Sequence, residues 1–484
     1  MLAFRPVLYL IGILISIFAV AMLLPLVLEL LVFKTDGWQE FGFGAFFAGS
    51  LGPLLALANY SPEKIELRVR EAFLLTTLSW VATSVFAAFP MYWSSLNLSF
   101  IDAWFESVSA LTTTGSTVIT YLDNAPKGVL LWRSLLQWLG GTGIILMALT
   151  ILPILRIGGM QLFRSEFSDR SEKILPRVSQ ISSAILSVYL LFSVLCFLSL
   201  KLAGMDYFDA VCHTMATVST GGLSTHNASL GFYNDFLIET ITIIFMIIGG
   251  ITYILYIKLW QGNFKAIYKD SQLRVFLCTM LIAGIGIALW NWQQTELGLG
   301  KSLREGVFTA VSIMTSTGFT TIDYTQWASF PLFIVFILSI IGGCTGSTSG
   351  GLKVFRLQVL SAAAHVHLKQ LRRQYGVYVP TYQNQKISEA VAMSVLTFVS
   401  LYFLVALVIV ALLTLFNLDI VNAFSATIAA ISNTGPGITE LIGPSGTHAP
   451  LPDACKLILM AGMILGRLEI LTVFVLFMPS FWRS

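Results

Sequence analysis

Four short runs combine hydroxyl-bearing residues with glycine at one spacing. They hold Thr113, Thr114 and Gly115; Ser219, Thr220, Gly221 and Gly222; Ser316, Thr317 and Gly318; and Asn433, Thr434 and Gly435. Glycine admits backbone angles that turn carbonyls to one side. A ring of carbonyls can replace the hydration shell of an ion. The runs contain no carboxylate, which argues against a Ca²⁺ or Mg²⁺ cage. A narrow, carbonyl-lined site suits a monovalent cation of K⁺ size. Each run shares only one glycine with the others and none reads TVGYG, so discrimination of K⁺ from Na⁺ is expected to be weaker than in channels with that sequence.

Each run closes a short, half-apolar segment. "DAWFESVSALTTTGST" starts at Asp102, "DAVCHTMATVSTGGLST" at Asp209, "EGVFTAVSIMTSTGFTT" at Glu305 and "NAFSATIAAISNTGPGI" at Asn422. A glycine falls 13 residues after each start, at Gly115, Gly222, Gly318 and Gly435. The extra Gly221 leaves the second register open by one place. The helices that follow also match, with Gly140–Gly141, Gly249–Gly250, Gly342–Gly343 and then Gly466–Arg467. Self-similarity of this kind marks repeated units. Each unit holds two spans, so all four share one orientation, which predicts a pseudo-fourfold ring about the membrane normal rather than inverted repeats. The short helices would bring their C-terminal ends, each carrying about half a negative charge, toward a common axis.

The 484 residues are 56% hydrophobic and 11% charged, with a mean hydropathy of +0.81. This composition is that of an integral membrane protein surrounded by lipid. Apolar runs of spanning length occur near 7–33, 39–60, 72–93, 131–155, 180–204, 236–260, 274–293, 331–361, 388–416 and 455–480. With the N-terminus inside, Lys34, Lys127, Arg133, Lys201, Lys301, Arg304 and Lys456 lie outside and Arg467 lies within a span. The remaining 20 of the 28 Lys and Arg, among them Lys64, Arg164, Arg170, Lys173, Lys353 and Arg356, lie on the cytoplasmic side. The positive-inside rule then places both termini in the cytoplasm. No basic block points to nucleic acid. The five cysteines form no CxxC or His-paired cluster and read as small apolar residues, and the five scattered histidines argue against a zinc site.

"IIGGCTGSTSGGLK", Ile340–Lys353, interrupts the third repeat's second helix. Its glycines (Gly342, Gly343, Gly346, Gly350 and Gly351) each cost a helix about 0.5–1 kcal/mol. With Ser347, Thr348 and Ser349 they predict an irregular, movable loop below the third turn, placed to plug the path. Irregular backbone at that depth must be buried in protein or line water. The run lacks GxxxxGK[ST] and follows no strand, which sets aside a phosphate loop; close helix packing is the other reading. Arg467 stands where the other repeats have glycine and should face the path or a carboxylate. It would either repel a passing cation or pair with Glu469. Asp102, Asp209 and Glu305 read as helix N-terminal charges. "HLKQLRRQYG" reads as a solvated face that could also dock a partner.

The four turns, the "GGCTGSTSGGLK" run and the terminal "GRLEILTVFVLFMPSFWRS" resemble the TrkH branch of the Trk/Ktr/HKT family of K⁺ transporters over essentially the whole chain. The two helices before the first repeat fit that branch better than the shorter KtrB branch. The expected fold is an all-α polytopic membrane protein, with four pseudo-symmetric helix–pore-loop–helix repeats around one central pore and two extra N-terminal transmembrane helices. The units are 1–71 for the extra pair, then 72–179, 180–273, 274–387 with the gating loop 340–353, and 388–484. The resemblance implies a non-enzymatic K⁺ uptake protein of the bacterial inner membrane, with K⁺ bound at the turn residues and no covalent cofactor. It also implies a homodimer and a cytosolic TrkA-type nucleotide-binding regulatory protein. A K⁺ carrier coupled to H⁺ or Na⁺ is the alternative. A membrane enzyme acting on lipid-linked substrates is a more distant one, because no HExxH, paired histidine or clustered carboxylates are present.

Overall fold

Long apolar runs in lipid must pair their backbone internally, and helices do so residue by residue. The computed structural model describes residues 4–62, 67–147, 178–296, 298–373, 378–383 and 385–483. Lys64, Arg164, Arg170 and Lys173 of the charge pattern, and the end of the 131–155 run, lie outside them. Two helices, α1 (Phe4–Leu28) and α2 (Trp38–Ala58), form an N-terminal hairpin. They cross where a Cβ on Gly12 would fall 2.7 Å from the Gly52 carbonyl oxygen, so only a small residue fits.

The four repeats follow. The first holds α3 (Val69–Tyr92), the short α4 (Phe100–Leu111) and α5 (Lys127–Leu146). The second holds α6 (Val178–Leu202), α7 (Tyr207–Val218), α8 (Phe236–Gly250) and α9 (Tyr253–Trp260). The third holds α10 (Ser271–Gln294), α11 (Leu299–Met314), α12 (Ser329–Ile341) and α13 (Val354–Arg372). The fourth holds α14 (Glu389–Leu415), α15 (Ile420–Ile431), α16 (Asp453–Arg467) and α17 (Ile470–Phe474). A two-stranded hairpin pairs Thr381 with Lys386 and Tyr382 with Gln385. A 12-residue helix such as α4 is about 18 Å long, too short to cross a hydrocarbon core of about 30 Å. From Phe105 to Leu111 every residue of α4 is buried in protein.

The repeats close into a ring. Each second helix packs on the short helix of the next repeat: α5 on α7, α8 on α11, α12 on α15, and α16 on α4. Among the described residues, seven helices are long and apolar enough to cross a membrane. Three of the spanning runs are broken, two of them expected as single spans and the third at the expected interruption. The 236–260 run bends by 93° between α8 and α9, and the 455–480 run by 110° after Arg467. The 331–361 run stops at Ile341 and resumes at Val354. At the break between α8 and α9, a segment remote in sequence completes the backbone bonding. The helix bonds lost at Gly249 and Gly250 are remade with the third repeat's loop. The Cys344 N–H donates to the Gly250 carbonyl (3.0 Å), the Thr348 N–H to that of Gly249 (3.2 Å), and the Tyr253 N–H to that of Gly346 (3.0 Å).

Candidate functional site

The four turns are one structural motif repeated. After each short helix the chain takes a left-handed residue: Thr113 (φ 53°), Thr220 (φ 51°), Ser316 (φ 53°) and Asn433 (φ 53°). Two N–H groups then reach back to the helix. Thr113 and Thr114 bond the carbonyls of Ala110 and Ser109, Thr220 and Gly221 those of Thr217 and Ala216, Ser316 and Thr317 those of Ile313 and Ser312, and Asn433 and Thr434 those of Ala430 and Ala429. This is the Schellman ending of a helix, where glycine is the usual left-handed residue. A hydroxyl just before it closes a further bond in every copy, Thr112 to the Val108 carbonyl (2.7 Å), Ser219 to Met215 (2.7 Å), Thr315 to Val311 (2.8 Å) and Ser432 to Ile428 (2.5 Å). A non-glycine residue in this conformation costs about 1–2 kcal/mol, and the ring holds four of them.

Two places later Gly115, Gly222, Gly318 and Gly435 have φ of 87°, 76°, 80° and 90°. The open register is thereby assigned: Gly222 is the shared glycine, and Gly221 stands where the other turns have threonine. An added Cβ on Gly115 would fall 2.4 Å from the Gly221 carbonyl oxygen, on Gly222 1.8 Å from that of Thr317, on Gly318 2.2 Å from that of Thr434, and on Gly435 2.5 Å from that of Thr114. Each turn touches the next and the fourth touches the first. A cavity of about 80 Å³ opens onto all four glycines, with Arg133 and His448 also in its wall.

Gly140, Gly249 and Gly466 let each second helix approach its own short helix. A Cβ there would meet the carbonyl oxygens of Leu111, Val218 and Ile431 at 1.8, 3.0 and 2.0 Å. The Gly342–Lys353 loop, which bonds to the ring, is irregular, as expected, and it is firmly tied. Gly342 to Gly350 are all buried. Ser316 Oγ accepts from the Gly350 N–H (2.6 Å) and lies 3.1 Å from Ser349 Oγ. Thr220 Oγ1 lies 3.0 Å from Thr348 Oγ1, which donates to the Gly249 carbonyl (2.9 Å). Ser347 Oγ donates to the Cys344 carbonyl (2.6 Å), and Ser349 Oγ accepts from the Gly343 N–H (2.9 Å). The loop therefore bonds the left-handed residues of the second and third turns. Thr113 Oγ1 has no hydrogen bond among the described residues. Asn433 reaches across instead, donating from Nδ2 to Thr114 Oγ1 (2.9 Å) and the Met463 carbonyl (2.9 Å).

Arg467 is 3% exposed and donates one hydrogen bond, from Nη1 to the Thr348 carbonyl (2.8 Å). Its Nε and Nη2 have no partner among the described residues. The expected alternative, pairing with Glu469, is corrected: Glu469 pairs with Arg356. Glu469 lies past the bend at the end of α16, in a left-handed conformation (φ 62°), and faces α13. Arg356, expected among the cytoplasmic charges, is buried and also sits 3.7 Å from the Phe398 ring centroid. Of the N-terminal carboxylates, Asp102 and Asp209 lie in the first turns of α4 and α7 as expected, and Glu305 lies beyond the first turn of α11. Ser99 and Asp206 are the residues whose side chains accept the first helix N–H groups of α4 and α7. Asp102 pairs with Lys456, Asp209 accepts from Thr225, Tyr233 and His226, and Glu305 sits inside α11 near Lys301.

Three further residues of the site lie off the turns. Glu106 and Arg133 are fully buried and paired at 2.6 Å. Glu106 also accepts from the Val118 N–H (2.9 Å), and Arg133 donates to the Ser224 carbonyl (3.3 Å), so the pair fastens the first turn to the second. Gln137 Nε2 donates to the Gly221 carbonyl (2.6 Å). The signal for Glu106 and Arg133 was available in sequence, as opposite charges within apolar segments; Gln137 carried none.

Residues 39–484 match the family described as TrkH, cation transport protein. The chain is 39% identical to the Trk system potassium uptake protein TrkI of Halomonas elongata, over 99% of this chain and 97% of that protein. It is 37% identical to the Trk system potassium uptake protein TrkH of Escherichia coli K12, over 99% of this chain and all of that one. The crystal structure of the potassium transporter TrkH from Vibrio parahaemolyticus superposes with a TM-score of 0.92 at 33% identity, covering 100% of both chains.

Proposed function

The chain belongs to the TrkH cation transport protein family, and from that premise we propose that it takes up potassium across the bacterial inner membrane through the ring of four turns. The observation that carries this reading is the closed cycle of glycine-to-carbonyl approaches, which holds backbone oxygens of all four repeats around one small cavity. Such a ring exchanges the hydration shell of K⁺ for carbonyl oxygens. Thr113, Thr114 and Gly115, Ser219 to Gly222, Ser316 to Gly318 and Asn433 to Gly435 form the selectivity filter. The charged ends of the four short helices favour a cation there.

The Gly342–Lys353 loop is the gate, held beneath the filter by Thr220, Ser316 and Arg467. Arg467 adds a positive charge that a departing cation must pass. The protein works as a homodimer with a cytosolic TrkA-type nucleotide-binding ring, and both termini are cytoplasmic. Flux of ⁸⁶Rb⁺ into liposomes holding the purified chain, with Na⁺ competing, tests this for wild type and a Gly346–Gly351 deletion. Flux that rises on deletion and follows the K⁺ gradient alone supports a gated pore. A reversal potential that also tracks H⁺ or Na⁺ would establish a coupled carrier instead.

A further inference from the structure

The second turn is built differently from the other three, and a side chain from another repeat makes up the difference. In three turns the residue before the shared glycine is threonine, and its hydroxyl braces the turn. Thr114 Oγ1 lies 2.7 Å from Thr112 Oγ1, Thr317 Oγ1 2.7 Å from Thr315 Oγ1, and Thr434 Oγ1 2.8 Å from Ser432 Oγ. The second turn has Gly221 at that place, so Ser219 has no such partner. The space is filled by Gln137 of the first repeat's α5. A Cβ on Gly221 would fall 2.4 Å from Gln137 Cδ. The Gln137 amide spans the turn, Nε2 donating to the Gly221 carbonyl (2.6 Å) and Oε1 accepting from the Leu223 N–H (3.2 Å). Gln137 is fully buried.

We infer that Gln137 is the positioning residue of the second filter turn and a determinant of ion selectivity. The inference rests on the reading of the turns as the ion path. The Gly221 oxygen is one of the four that close the ring, and it sits against Gly115 of the first turn. Gln137 thus sets the spacing between first and second turns, the dimension on which discrimination between cations of different radius depends. The amide is irreplaceable by shape alone, because both its donor and its acceptor are used.

The test is the K⁺ over Na⁺ permeability ratio of the full-length protein in liposomes. The variants are Gln137→Met, Gln137→Ala and Gln137→Ala with Gly221→Thr. Gln137→Met keeps the volume and removes both hydrogen bonds. It is expected to lower the ratio by about three- to tenfold, the equivalent of ~0.7–1.4 kcal/mol. The double variant exchanges the amide brace for the hydroxyl brace of the other turns, and its ratio is expected to exceed that of Gln137→Ala. An unchanged ratio in Gln137→Met, or a double variant no more selective than Gln137→Ala, would overturn the inference while leaving the ion path intact. A wild type with no preference for K⁺ would overturn the ion-path reading and this inference with it.

Discussion

Replacing Arg467 by methionine separates a gating charge from a structural one. The side chain keeps its reach, and the charge and its hydrogen bond to the Thr348 carbonyl, 2.8 Å long, are lost. A hydrogen bond from a charged donor contributes about 1.5–3 kcal/mol. If that bond holds the loop beneath the filter, the balance between open and closed states shifts by roughly ten- to 150-fold toward open. The cost to the fold is small. Arg467 is 3% exposed, and Nε and Nη2 have no partner among the described residues, so its charge is poorly compensated there; replacing such a group with an apolar side chain is often neutral or stabilising. Flux of ⁸⁶Rb⁺ should therefore rise at least several-fold while the melting temperature in detergent holds or increases. Unchanged or lower flux in a variant that melts at the wild-type temperature would refute the gating role.

Three further outcomes follow from the geometry. Gly222→Ala should abolish K⁺ flux in protein that still folds, because its Cβ would fall 1.8 Å from the Thr317 carbonyl oxygen at a left-handed φ; liposome flux beside size-exclusion profiles measures this. Glu106→Gln leaves the Arg133 charge buried, a loss of about 3–5 kcal/mol, and Arg133→Met in the same protein should recover part of the lost melting temperature. His226, outside the spans, lies between Asp209 (3.1 Å) and Asp123 (2.7 Å) and stacks on Phe232. Burial alone would lower its proton affinity, but the two carboxylates outweigh burial and hold it above the ordinary 6.5. Its stabilisation is therefore complete below the ordinary value and lost as pH rises through the raised one. Melting temperatures measured from about pH 6 to 9 should fall in wild type relative to His226→Gln; parallel curves would remove the argument.

The repeated architecture was legible because four copies of one pattern reinforce each other, and a glycine required at φ near 80° in each copy cannot drift. The left-handed residues just before those glycines were harder to read. A Schellman ending is expected on glycine, and here Thr113, Thr220, Ser316 and Asn433 occupy it. The helix breaks at Gly250 and after Arg467 were also not read as breaks, because hydropathy registers that a segment is apolar and not whether its backbone bonds are local. At Gly250 those bonds are supplied by the Gly342–Lys353 loop, which is remote in sequence. The alternative reading of Arg467, a pair with Glu469, fails for a similar reason: the bend at the end of α16 turns Glu469 toward Arg356.

The contacts that position the loop also bear on what moving it requires. Thr348 closes onto Thr220 and onto the carbonyl of Gly249, Gly350 closes onto Ser316, and Cys344 closes onto the carbonyl of Gly250. Displacing the loop exposes each of these groups at once. A buried polar group left unsatisfied costs about 1–3 kcal/mol, so several together would forbid opening in a dry interior. They can be released only if water takes the place of the loop, and a hydrated path is also the condition for a cation to leave the filter. In the proposed gate, the same hydrogen bonds that close the path require water to enter as the loop departs, so wetting of the inner cavity and opening are one step. Replacing Thr348 by valine removes two of these hydrogen bonds from the closed state, while the Gly249 carbonyl keeps the Thr348 N–H and Thr220 Oγ1 keeps the Ser219 carbonyl. It should shift the balance toward open, in the same direction as Arg467→Met. Flux below wild type in a folded Thr348→Val variant would show that the loop supports the filter rather than closing it.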